Sequence, residues 1–254
     1  MSAADDSLTS FAFEHPLHYL WGLAADLAFA VFTLTLGPLA IVLVLLTRSG
    51  KPVDALGRMW GKLIVWTCGI KLELIGTDHL EPGRSYVIVS NHLSNFDIFC
   101  TLARFPGTVH FVAKKELLKI PVFGQALAIS DHIVIDRQDP ESAIRTINAA
   151  VARATDGMYV LFYAEGTRSP DGRVGPFKKG GVTLAINTQL PILPMSVSGT
   201  RKFLPKSAKV IRPGGRVRIV VGPPIETTGL DLDARDELNE RVRQMVIRNF
   251  VEDF

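Results

Sequence analysis

Cysteine is nearly absent from this chain: 254 residues hold two, Cys68 and Cys100, far apart among apolar neighbours. That excludes a disulfide framework. No Cys/His cluster has ligand spacing, so no metal site is expected, and the thiols read as packed and reduced. A large excess of one charge is also missing. The net charge of +3 is too slight to mark a nucleic-acid partner. There is no internal repeat and no low-complexity tract, which excludes repeat arrays and disordered scaffolds. A Gly-x-Ser-x-Gly elbow is absent too, which argues against a serine esterase. The most local absence is of basic residues. Residues 1–47 contain no Lys or Arg, whereas Arg48, Lys51, Arg58 and Lys62 follow at once.

Apolar residues, by contrast, are abundant at 47%, and they are unevenly spread. Leu27 to Leu46 carries no charge and is about the 20 residues that cross a bilayer core. It is too long for a signal-peptide core and lacks the basic residues that precede one. The basic residues after position 47 put the rest of the chain on the cytoplasmic side. Gly37-Pro38 interrupts the run, so it either spans with a kink or dips in and returns. A second stretch, Asp54 to Ile70, sets Asp54, Arg58 and Lys62 on one helical face and Trp60, Leu63, Ile64, Trp66 and Ile70 elsewhere. It reads as an interfacial amphipathic helix or, alternatively, as part of a buried hairpin of the core. The expected division is a two-helix membrane anchor over 1–70 and a catalytic domain over 71–254.

After residue 70 the pattern becomes short Val/Ile-rich runs bounded by Gly, Pro and Asp. Strands are expected at 72–75, 86–90, 109–112, 132–135, 159–163, 192–198 and 216–221. Helices fit between and after them at 96–104, 140–155, 180–188 and 234–250, the last with Asp231 and Asp233 at its start. Alternating strands and helices imply an α/β domain with a largely parallel mixed sheet flanked by helices. In such sheets sites gather where strands end and helices begin.

Two polar clusters fall at such ends. Asn91-His92-Leu-Ser-Asn-Phe-Asp97 follows the strand at 86–90, and Glu165-Gly166-Thr167-Arg168 follows the one at 159–163. Of six histidines only His92 has an Asp five residues on, a spacing that carries little by itself. On a continuous helix the two would lie about 140° apart. With His92 in the loop and Ser94 as N-cap, Asp97 reaches back to Nδ1 and leaves Nε2 free to take a proton. Otherwise Asp97 completes a capping box with Ser94. Gly166 allows a tight turn, and Arg168 offers a fork suited to phosphate. Glu165 either pairs with Arg168 or binds a substrate hydroxyl. Lys114 follows a further strand and serves either an anion or a solvated helix start, and Arg137 either holds phosphate or pairs with a neighbouring acid. Leu190–Pro194 opens a strand and receives no catalytic role.

Together these blocks resemble the glycerolipid acyltransferase family, most nearly the bacterial 1-acylglycerol-3-phosphate acyltransferases. Asn91-His92-x4-Asp97 is similar to the first family motif, Ser130–Arg137 to the second, Phe162–Ser169 to the third and Leu190–Pro194 to the fourth. Ala164 stands where the family usually has Pro. The resemblance spans residues 70 to 200. It implies direct acyl transfer from a thioester, acyl-CoA or acyl-ACP, to the sn-2 hydroxyl of lysophosphatidic acid, with no bound cofactor. His92 would be the base, Asp97 its orienting acid, and Arg168, Lys114 and Arg137 the phosphate holders. A helix N-terminus after residue 94 would hold the oxyanion. Another lysolipid or glycerol 3-phosphate is the alternative acceptor. A thioester or lipid hydrolase using the same pair, or a catalytically idle membrane-binding protein, are the alternatives of other classes.

Overall fold

The computed structural model describes residues 16–254, apart from 137, 140–141, 144, 148, 150–156, 207 and 253. Two helices come first, α1 (Pro16–Thr47) and α2 (Lys51–Thr67). Seven strands follow: β1 (Ile70–Ile75), β2 (Tyr86–Ser90), β3 (Val109–Lys114), β4 (Ile133–Ile135), β5 (Tyr159–Tyr163), β6 (Ile192–Ser198) and β7 (Gly215–Val221). They form one sheet in the order β1-β7-β6-β2-β5-β3-β4. Every pairing is parallel except β6 with β7. The remaining helices are α3 (Phe96–Arg104), α4 (Phe123–Ala128), α5 (Gly180–Thr188) and α6 (Arg235–Asn249).

The central strands β2 and β6 are buried along their whole length. This is why they read as continuous apolar runs rather than as alternating ones. Two cores lie on the two faces. One joins Phe96, Phe99 and Cys100 of α3 to Ile64 of α2 and the sheet. The other joins Val182 and Ile186 of α5 to Val242 and Val246 of α6. Pro194 sits inside β6, where a ladder bond would normally be lost. Its carbonyl accepts from Gly222 N at 2.8 Å, so its nitrogen faces the β7 side, where the register begins only at Met195.

The anchor differs from expectation. Among the described residues one helix, α1, is long and apolar enough to cross a membrane, not two. The second stretch is helical over Lys51–Thr67, yet its apolar face is already covered. Val53, Gly61, Ile64 and Val65 are buried. Trp60 packs on Phe29 of α1 and Phe99 of α3, and Arg58 donates to the carbonyls of Phe105 and Gly107, both at 2.6 Å. A helix with that much protein contact has little apolar surface left for lipid, although Trp66 remains exposed. Gly37-Pro38 lies within the continuous α1. Most of the helix expected over 140–155 lies outside the described residues.

Candidate active site

The sheet register assembles the site. Ser90 of β2 stands opposite Tyr163 of β5, so the two strands end level. Two residues on, His92 and Glu165 emerge side by side, and His92 N donates to Glu165 Oε1 at 2.8 Å. Ser169 N donates back to His92 O at 2.7 Å. On the other flank, Asn91 locks β2 to β6: its Nδ2 donates to Val197 O at 2.9 Å, and Val197 N donates to its Oδ1 at 2.8 Å. The loop bearing His92 is thus pinned from both neighbouring strands.

His92 Nδ1 lies 2.6 Å from Asp97 Oδ2. The same oxygen accepts from Leu93 N at 2.7 Å and from Ser94 N at 3.1 Å. Asp97 is fully buried. A carboxylate there survives ionised only if its oxygens are paired and hydrogen-bonded. The two readings of Asp97 therefore coexist, since one oxygen receives the backbone donor of a capping turn and the imidazole together. The helix begins at Phe96 as expected, with Asn95 rather than Ser94 at the N-cap position, and Ser94 Oγ accepts from Phe96 N at 3.2 Å while donating to Leu204 O at 2.8 Å. The expected oxyanion role of this helix start meets an obstacle. The amides of Leu93, Ser94, Phe96, Asp97 and Ile98 are all engaged within the turn.

The Tyr163 ring stacks on the His92 imidazole, with centroids 4.1 Å apart and planes 15° apart. Burial, and then the charge on Asp97, push the Tyr163 phenol well above its ordinary range. Burial does the same to the Cys100 thiol, which leaves it unsuited to nucleophilic attack, and it pushes Cys68 up to about 12.

Glu165 does not pair with Arg168. Its carboxylate accepts from His92 N and, at 3.2 Å, from Gly175 N. Burial raises its pKa, and those backbone donors partly oppose the rise. Gly166 adopts φ 71°, and a side chain there would meet Lys178. Thr167 is exposed and accepts from Lys206 Nζ at 3.1 Å. Arg168 is half-buried and makes no ion pair with any described residue. Lys114 is exposed at the end of β3, two strands from β2. Arg137 lies outside the described residues. Ala164, through an N–H that proline lacks, donates to Ser90 O at 2.9 Å and extends the β2–β5 ladder beyond Tyr163. Sequence reasoning did not find Tyr163, Lys178, Lys206 or Thr200 as neighbours of the site. Tyr163 sat within a motif block already noted, but nothing local pointed to its contacts.

Helices α1 to α4 and β3 enclose a mainly apolar cavity of ≈ 570 Å³, whose walls include Phe32, Leu36, Trp60, Leu102, Phe111 and His132. Two rings lie between this cavity and the site. Phe111 lies 6.3 Å from Tyr163, which in turn stacks on His92. Burial, and then the neighbouring His110, hold His132 down to about 4, so it is neutral. Among the described residues no group of His, Cys, Asp and Glu side chains could hold a metal ion.

This geometry can be set beside known proteins. A sequence model of the family described as Acyltransferase matches residues 71–198. A 1-acyl-sn-glycerol-3-phosphate acyltransferase of Limnanthes alba is 36% identical over 229 residues, covering 87% of this chain and 79% of that one. One from Pseudomonas aeruginosa is 34% identical over 202 residues, covering 76% of each. The crystal structure of the 1-acyl-sn-glycerophosphate acyltransferase PlsC from Thermotoga maritima superposes with a TM-score of 0.78 at 27% identity, over 92% of this chain and 94% of that one. The fold, the motif order and these relatives agree, and the chain belongs to the 1-acyl-sn-glycerol-3-phosphate acyltransferase family.

Proposed function

We propose that this enzyme moves a fatty acyl group from an acyl thioester, on coenzyme A or acyl carrier protein, to the free sn-2 hydroxyl of 1-acylglycerol 3-phosphate, giving phosphatidic acid. The observation that carries the reading is the buried Asp97 holding His92 Nδ1 at 2.6 Å. With Nδ1 occupied, Nε2 is the nitrogen left for chemistry, and no described residue bonds to it. Nε2 removes the proton from the lipid hydroxyl. The alkoxide attacks the thioester carbonyl, and the imidazolium, stabilised by Asp97, protonates the departing thiolate. Transfer is direct. Cys100 is buried and its thiol held protonated, and Ser94 Oγ is engaged by Leu204 O and Phe96 N. Arg168, half-buried and without an ion pair among the described residues, would receive the phosphate, with Lys114 and Arg137 as further candidates. The apolar cavity beyond Tyr163 suits an acyl chain.

Membrane association goes with the same reading. α1 exposes Leu20, Leu27, Leu34, Leu45 and Leu46, and the basic residues that follow it favour a cytoplasmic face for the catalytic domain.

The test is a thiol-release assay with acyl-CoA or acyl-ACP against lysophosphatidic acid, other lysolipids and glycerol 3-phosphate. Release that depends on lysophosphatidic acid, and falls about 10²-fold or more in His92→Ala, is expected. Equal release without any acceptor would make the protein a hydrolase. Full activity in a folded His92→Ala variant would remove the base.

A further inference from the structure

Asp97 has a second oxygen, and what holds it is not in either motif. The Thr200 hydroxyl donates to Asp97 Oδ1. Both residues are fully buried. The three other donors to this carboxylate, from His92, Leu93 and Ser94, all converge on Oδ2. Thr200 therefore fixes the one oxygen that the motif turn leaves alone. A carboxylate held at both oxygens cannot rotate about its terminal bond, so Oδ2 stays aimed at Nδ1.

The position of Thr200 is itself built by the fold. β6 ends at Ser198, and Gly199 turns the chain with φ 90°. A side chain at Gly199 would run into Arg216 O at 2.4 Å, so the turn requires glycine. Thr200 then opens a short 3-10 turn. The site thus takes residues from three neighbouring strand ends, β6, β2 and β5, rather than only from the β2 and β5 ends that the sequence reading identified.

We infer that Thr200 is a positioning residue for acyl transfer, acting through Asp97 on His92; this rests on the proposed role of the His92–Asp97 pair. Its hydroxyl is the working part, and its methyl group is not.

That distinction sets the experiment. Thr200→Ser, Thr200→Ala and Thr200→Val are compared for kcat and KM in the thiol-release assay with lysophosphatidic acid, together with thermal melting of each. If the hydroxyl positions Asp97, Thr200→Ser stays within about twofold of the parent. Thr200→Val, though nearly the same size, loses about tenfold or more in kcat with KM for both substrates little changed, as expected when one hydrogen bond to a charged group is removed. In an Asp97→Asn background, Thr200→Val adds little further loss, because the two act as a unit. A packing role gives the reverse order, with Val active and Ser impaired, and would overturn the inference. If Thr200→Val does not fold, Ser against Ala decides: equal activity of those two also overturns it. Failure of the base assignment is separable, since it appears as an active Asp97→Asn enzyme whatever Thr200 does.

Discussion

Replacing Asp97 by Asn separates its charge from its shape. An asparagine placed with its carbonyl at the Oδ2 position keeps the bonds from His92 Nδ1, Leu93 N and Ser94 N. Its amide then faces Thr200, whose hydroxyl can turn from donor to acceptor. The backbone turn and the imidazole orientation survive, and only the negative charge that stabilises the imidazolium is lost. The expected result is a folded enzyme with kcat lower by about 10²-fold, close to 2.7 kcal/mol at the transition state, and with KM values near those of the parent. Asp97→Ala should behave differently. It strips the acceptor from two buried backbone N–H groups and one buried hydroxyl, each an orphan worth about 1–3 kcal/mol. Thermal melting should then fall by roughly 2–4 °C for each kcal/mol. Steady-state thiol release and melting curves on the two variants make the comparison. An Asp97→Asn enzyme within threefold of the parent kcat would refute the reasoning, and so would an Asp97→Ala protein as stable as the Asn variant.

Two further outcomes follow from other parts of the molecule. Arg168→Ala should raise KM for lysophosphatidic acid by about tenfold, given a charge-assisted contact of the usual strength, with KM for the thioester unchanged; a change confined to the thioester would reassign the residue. His132 is neutral when folded, its pKa held at about 4 against an ordinary value of 6.5. The unfolded chain therefore binds the extra proton first, and stability should fall as pH drops from about 6.5 towards 4. A His132→Gln variant should show a flatter melting temperature over that window, and an unchanged slope would count against this role.

The sheet was legible because its central strands are buried on both faces and written in Val and Ile. Tyr86–Ser90, Tyr159–Tyr163 and Ile192–Ser198 are found at the expected residues, as are the helices Phe96–Arg104 and Gly180–Thr188. What could not be read were contacts set by the third dimension. α2 has the alternation of an interfacial helix, but whether lipid or protein covers its apolar face is decided by α1 and α3, not by its own residues. Helix α4 went unforeseen. It is six residues long and follows Val122, whose φ of 64° no propensity predicts. In the site, the motif spacing pointed to His92 with Asp97 because both lie in one turn. For Glu165 the sequence offers two partners, Arg168 or a substrate hydroxyl. In the fold, two backbone N–H groups reach it first.

The pinning of the His92 loop by β6 also bears on how the enzyme is made. Asn91 and Val197 are separated by 106 residues, and Asp97 and Thr200 by 103. β6 is inserted between β2 and β7, so these bonds close only after nearly the whole sheet has formed. Long-range closures of this kind come slowly and late in folding. A growing chain therefore exposes the histidine and its aspartate long before their surroundings are fixed. The surroundings of His92 are complete only once β6 is seated between β2 and β7.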